Sequence, residues 1–132
     1  ERTNKKFSVI LLDIDNFKLM NDRYGHLVGD KVLKAFAALL MNAVRKTDIV
    51  GRWGGEEFLI ICPDTDLQGG KKLAEQLRSK ISEHEFPEKN ELYASLGIVT
   101  HNPEETAEGL IARVDKALYR AKESGRNRVE AG

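Results

Sequence analysis

The residues best suited to chemistry are the carboxylates in two short runs: Asp13 and Asp15 in Asp13-Ile14-Asp15, and Glu56 and Glu57 directly after Gly54-Gly55. Asp13 and Asp15 follow the apolar run Phe7 to Leu12, while Glu57 opens the run that ends at Cys62. If these runs are neighbouring strands, Asp13 and Glu56 converge and can hold a hard cation through oxygen ligands. Magnesium is commonly held by one or two carboxylates, with substrate phosphates completing its shell, so the grouping points to nucleoside triphosphate chemistry. Neither run is diagnostic alone, because Gly-Gly is an ordinary turn and Glu-Glu an ordinary solvated pair. The chain has no Gly-x-x-x-x-Gly-Lys-[Ser/Thr] run, which removes the P-loop class of phosphate cradle.

The positions of these acids depend on the elements around them. Phe7 to Leu12 reads as a buried strand with its acids at the far end. Gly25 separates a short helical turn from a longer helix, whose face carries Val32, Leu33, Phe36, Leu40, Ala43 and Val44 and which is expected to end near Arg45. Ile49 to Trp53 and Glu57 to Cys62 read as a hairpin, and Gly54-Gly55 suits a tight turn through glycine's freedom at positive φ. A helix is expected over Leu67 to Ser82 on a Leu73, Leu77, Ile81 stripe, followed by a strand from Tyr93 to Thr100. A last helix carries Leu110, Val114, Ala117, Leu118 and Ala121, is capped by Gly125, and leads into a short strand around Arg128-Val129. Amphipathic helices alternating with strands around one hairpin predict an α+β fold. Its centre would be a mostly antiparallel or mixed sheet of about five strands flanked by helices.

Bulk properties narrow the field. A chain of 132 residues, 41% hydrophobic and 32% charged, fits one globular domain spanning 1–132. The 21 basic and 21 acidic residues cancel, so the uniform positive field of a nucleic-acid-binding module is missing. No stretch approaches the ~20 apolar residues of a membrane span, and no signal peptide opens the chain; a cytoplasmic domain without membrane contact is expected, although a longer protein could be anchored. Cys62 has no disulfide partner and reads as a buried small hydrophobe.

The motifs are most informative as a series. Asp13-Ile14-Asp15-Asn16-Phe17-Lys18, Asn21-Asp22, Gly25-His26, Gly29-Asp30 and Arg52-Trp53-Gly54-Gly55-Glu56-Glu57-Phe58 occur in that order. Tyr119-Arg120-Ala121-Lys122-Glu123-Ser124-Gly125-Arg126-Asn127-Arg128-Val129 closes the series. Together they resemble the GGDEF family of diguanylate cyclases, in the Gly-Gly-Glu-Glu-Phe variant, from about Phe7 to Val129. Members usually begin with an Asp-x-Leu-Thr-x-x-x-Asn-Arg segment and a helix. This chain starts close to its first strand, so it is expected to lack that segment.

The resemblance implies the ferredoxin-like architecture of nucleotidyl cyclases and polymerase palms, and an enzyme that condenses two GTP molecules into cyclic di-GMP. Asp13 and Glu56, with the backbone carbonyl of Ile14, would bind magnesium or manganese, two ions per site, and Glu57 would assist the metal or the proton transfer. Asn21 and Asp30 would read the base. An ionised carboxylate only accepts hydrogen bonds, and guanine presents adjacent donors where adenine presents an acceptor, so Asp30 argues for GTP over ATP. Lys18, Lys122 and Arg126 would neutralise the triphosphate, and Gly54 and Gly55 would let backbone N–H groups approach it. His26 is left structural. Arg45 and Asp48, in Arg45-Lys46-Thr47-Asp48, match the Arg-x-x-Asp pattern of product-inhibited members, with Arg78 as a secondary arginine of that site. Turnover would need two domains facing each other across a two-fold axis, and a sensor or receiver domain in the full-length protein would control their pairing. The alternative is a silent GGDEF-like receptor that binds GTP or cyclic di-GMP; intact Asp13, Glu56 and Glu57 favour the enzyme. A purely structural domain would require the acids, the glycine turn and the basic C-terminal segment to coincide by accident, and another palm-type enzyme leaves Asn21 and Asp30 unexplained.

Overall fold

A computed structural model describes residues 6–132. Strand β1 (Phe7–Ile14) is followed by helices α1 (Phe17–Tyr24) and α2 (His26–Ala43), and by the hairpin β2 (Ile49–Arg52) and β3 (Glu57–Pro63). Helix α3 (Leu67–Glu83), strand β4 (Ala94–Thr100), helix α4 (Ala107–Glu123) and strand β5 (Val129–Ala131) complete the fold. The sheet order is β2-β3-β1-β4-β5, with β1 antiparallel to both β3 and β4, and β5 parallel to β4. The first four strands and their helices make a ferredoxin-like βαββαβ unit, and the fold is the expected α+β class with a mixed sheet.

Central strand β1 is covered on both faces, so its apolar run is continuous rather than alternating. Ile10, Leu12 and Ile14 join Val32, Phe36 and Leu40 of α2 and Leu77 and Ile81 of α3 in the larger core. Val9 and Leu11 point the other way and pack with Val99 and with Leu110, Val114 and Leu118 of α4. Helix α4 lies so close to β4 that a Cβ on Gly97 would stand 2.5 Å from the backbone nitrogen of Leu118. Helices α3 and α4 start on side-chain caps, Asp66 accepting from Gly69 N at 2.9 Å and Thr106 from Gly109 N at 3.0 Å.

Helix α2 ends at Ala43, next to the expected end near Arg45. Two details depart from the sequence reading. Neither Gly54 nor Gly55 has a positive φ; the hairpin is closed instead by the N–H groups of Trp53 and Gly54 on the carbonyl of Glu57, at 2.8 and 3.3 Å. A 3₁₀ turn at Pro87–Lys89 was not foreseen, and it follows Phe86, which stacks on Phe36 at 5.0 Å. Gly125, at φ 126°, sits just beyond the cap residue Ser124 and ends α4 as expected. No helix among the described residues is long and apolar enough to cross a membrane.

Candidate active site

Side chains alternate across the sheet, so Asp13 shares the parity of Val9 and Leu11 and faces α4. Glu57 lies directly opposite Asp13 in the β1–β3 register and points to the same side. Glu56 is bound through its carbonyl, which accepts from the N–H of Ile14 at 3.3 Å. The expected convergence of the two acidic runs is therefore present at the ends of adjacent central strands. Lys122, near the end of α4, reaches across the sheet and donates to Asp13 Oδ2.

Asp13 is 5% exposed, and its Oδ1 is buried with no hydrogen-bond partner among the described residues. An orphaned carboxylate oxygen in a buried setting is costly unless a cation or donor meets it. Burial raises the Asp13 pKa above the ordinary carboxylate range, against the opposing effect of the Lys122 hydrogen bond and charge, while the Asp15 carboxylate raises it and Arg126 favours ionisation. Glu56 and Glu57 are both pushed up, first by burial and then by the charge of Asp13. These half-buried, mutually repelling acids, with one carboxylate oxygen free, suit a divalent cation. No cluster of three or more His, Cys, Asp or Glu side chains among the described residues forms a cage on its own.

Asn21 lies on α1 and Asp30 in the first turns of α2, next to Gly29. Asn21 lies so tightly against Gly29 that a Cβ there would come within 2.1 Å of its Oδ1. Nδ1 of His26 is 3.0 Å from Asn21 Nδ2, so His26 is an orienting neighbour of Asn21. Exposed Asp30 lines a cavity of about 300 Å³ with Leu33, Lys34, Arg52 and Phe58. Lys18 is exposed on α1. Gly54 and Gly55 form the exposed tip of the hairpin, where Arg52 donates to the carbonyls of both, and open space surrounds the Cβ position of Gly55.

Arg45 and Asp48 form a closed unit on the far side of the molecule. Arg45 donates from its backbone N, Nε and Nη2 to the Asp48 carboxylate at 2.9, 3.3 and 3.0 Å. Its Nη2 also donates to the Pro63 carbonyl and to Thr65 Oγ1. The Asp48 side chain is fully buried, that of Arg45 is 55% exposed, and the arginine pKa is raised by the Asp48 hydrogen bond. The adjoining cavity, about 770 Å³ and lined by Lys6, Asp64, Thr65, Lys72 and Gln76 besides Arg45, is larger than the groove at Asp30. Arg78 is not among its lining; it pairs with Glu75 and donates through Nη1 to Asn127 Oδ1 at 2.9 Å.

The partners of Asp15 leave no mark in the sequence. Asp15, 5% exposed, accepts from Ser95 Oγ at 2.7 Å and from the Asn127 N–H at 2.9 Å. Ser95 stands opposite Asp13 in the β1–β4 register, a pairing that no local motif reveals. Gly29 had only its place in the motif series to mark it.

Fold and site define an α+β domain in which paired carboxylates at the end of a central strand face a basic helix end. The family model described as "Diguanylate cyclase, GGDEF domain" matches residues 1–128, and the chain belongs to this GGDEF family of diguanylate cyclases. It is 46% identical to diguanylate cyclase DgcP of Pseudomonas aeruginosa over 123 residues, 91% of this chain but 18% of that protein. The active GGEEF domain of a diguanylate cyclase from Vibrio cholerae has a TM-score of 0.92 and 39% identity, covering 98% of this chain and 85% of that one. The GGDEF domain of DgcB from Caulobacter crescentus, in complex with c-di-GMP, has a TM-score of 0.90 and 31% identity, covering 96% and 77%.

Proposed function

We propose that the chain is a diguanylate cyclase domain that condenses two GTP molecules into cyclic di-GMP and two pyrophosphates. The observation that carries this reading is the orphaned Oδ1 of Asp13 beside Glu56 and Glu57, with Lys122 on the other oxygen of the same carboxylate. Asp13, Glu56 and the carbonyl of Ile14 are the ligands for magnesium, or manganese in its place. When bound, two such ions lower the cost of charge on the attacking 3′-oxygen and on the α-phosphate and its leaving pyrophosphate.

The other roles belong to the chain itself. Asn21 and Asp30 hold the guanine edge, with Asp30 accepting from its adjacent donors. Lys122, already poised over the carboxylates, transfers its ammonium to phosphate oxygens as substrate arrives, and Arg126 and Lys18 add positive charge. The backbone of Gly54 and Gly55 lies along the phosphates, and Glu57, whose pKa is raised by burial and by Asp13, is suited to receive a proton from the 3′-hydroxyl.

Making both phosphodiester bonds requires two copies of the domain across a two-fold axis, each contributing one GTP. Arg45 and Asp48 form a product-binding inhibitory site, a role in which the complex of the DgcB domain with c-di-GMP gives support for product recognition in the family. Arg78, which pairs with Glu75 and Asn127, is a secondary arginine of the same proposed site. The chain spans less than a third of the length of the relatives DgcP and DgcM, so a sensor or receiver domain that controls pairing, and a cytoplasmic setting, belong to the same proposal.

Calorimetric titration with GTP and with ATP, each with and without magnesium, tests the substrate assignment. Magnesium-dependent binding of GTP at least about tenfold tighter than ATP, lost in Asp30→Ala, is expected. Equal affinity for both nucleotides would overturn the guanine assignment.

A further inference from the structure

The loop between α4 and β5 carries the second cation of the proposed phosphate site, Arg126, in an uncommon backbone conformation. Arg126 and Asn127 are consecutive non-glycine residues with positive φ, 66° and 48°. Left-handed backbone at bulky residues persists only where the surroundings impose it, and such residues concentrate at functional sites. Here three peptide groups of the turn are tied down. Arg126 N–H donates to the Ala121 carbonyl at 3.0 Å, Asn127 N–H donates to Asp15 Oδ2 at 2.9 Å, and Leu96 N–H donates to the Arg128 carbonyl at 2.9 Å.

Asp15 is the anchor of this arrangement. Its carboxylate is buried at the end of β1, and its oxygens are divided between Ser95 Oγ and the Asn127 N–H. From the opposite side Arg78 of α3 donates to the side-chain oxygen of Asn127, while Glu75 fixes the same guanidinium through Nε and Nη2. Asn127 is thus held between the tip of the central strand and α3.

We propose that the Asp15–Asn127–Arg78 latch is a positioning device that holds Arg126 beside the carboxylate site, so that its residues set affinity for the triphosphate without touching it. This deepens the cyclase reading and rests on it. Asn127→Gly keeps access to the left-handed region and the N–H to Asp15 but removes the link to Arg78. Arg78→Met removes that link from the other side. Asp15→Asn preserves the shape, because the Ser95 hydroxyl can rotate to accept from the new amide while the remaining oxygen still faces Asn127 N–H.

The test is magnesium-dependent GTP affinity, measured by calorimetry on the whole chain for the wild type, Asn127→Gly, Arg78→Met, Asp15→Asn and Asp15→Ala, each alone and combined with Arg126→Ala. The single variants Asn127→Gly and Arg78→Met should weaken GTP by about three- to tenfold, and Asp15→Asn should recover most of what Asp15→Ala loses. In the Arg126→Ala background the effects of Asn127→Gly and Arg78→Met should largely vanish, because the residue they position is gone. Undiminished effects in that background would assign the latch to general stability and overturn the proposal. Wild-type affinity in both Asn127→Gly and Arg78→Met would overturn it as well. Absence of GTP binding by the wild type would instead remove the cyclase reading on which the latch depends.

Discussion

Asp13 and Glu57 stand directly across from each other at the last pair of the β1–β3 ladder, two acids in a position where opposite charges would favour pairing. The repulsion is tolerated because Lys122 meets one oxygen of Asp13, yet burial and mutual charge still push both carboxyls above their ordinary range. A site of this kind gives up stability to concentrate negative charge.

Glu57→Gln should therefore stabilise the isolated domain while impairing turnover. A carboxyl whose folded pKa exceeds the unfolded value, ordinarily 4.5, opposes folding when ionised; the penalty is full above the folded pKa and gone below 4.5. The half-buried setting limits the gain at pH 7 to on the order of 1 kcal/mol, a rise of a few degrees in Tm. Thermal melts of both proteins from pH 7 to pH 4 should show this advantage closing as the pH falls. An unchanged gap at pH 4 would show that charge is not its source.

Glu105 should behave with the opposite sign. Its hydrogen bonds from Arg113, at 2.6 and 2.8 Å, hold its pKa down to about 2 from an ordinary 4.5. The stabilisation is present above 4.5 and is lost as the pH falls toward 2. Acid unfolding of Glu105→Gln should be less steep over that window than that of the wild type, and identical slopes would contradict the assignment.

Gly29→Ala should separate binding from stability. The new Cβ would fall 2.1 Å from Asn21 Oδ1 and must displace that side chain, while alanine favours the helix by up to ~1 kcal/mol. Calorimetry and melting should show GTP affinity reduced by about tenfold with Tm unchanged or higher. Retained affinity would mean that Asn21 does not contact the base.

Cys62 should be inert in the native protein. It is fully buried, and burial together with the Asp48 charge pushes its thiol up to about 12. Labelling with a thiol reagent at pH 8 should proceed only as fast as the chain opens, and should become rapid in denaturant. Prompt labelling of the folded protein would contradict this burial.

The sequence made the elements and the acidic pair legible for a physical reason. Val32, Phe36 and Leu40 repeat at helical spacing, and apolar runs that end in acids leave few ways to bury a strand and still expose its carboxylates. The hairpin at Gly54-Gly55 was recognisable from composition, although its closure uses the Trp53 and Gly54 N–H groups on Glu57 rather than positive φ at glycine. Pairings between distant segments left no local trace. Nothing adjacent to Asp15 indicates that Ser95 and Asn127 will meet it, and nothing near Arg78 in the sequence indicates that it donates to Asn127. The turn at Pro87–Lys89 lacks periodicity and became visible only through the packing of Phe86.

The most direct test of the account is turnover. The purified chain, concentrated enough to pair, is incubated with GTP and magnesium beside Glu56→Gln, and the products are separated by chromatography. The account predicts cyclic di-GMP and pyrophosphate in a ratio of one to two from the wild type and neither from the variant. Intact GTP after incubation at concentrations where sedimentation shows the chain to be dimeric, or equal product from Glu56→Gln, would contradict it.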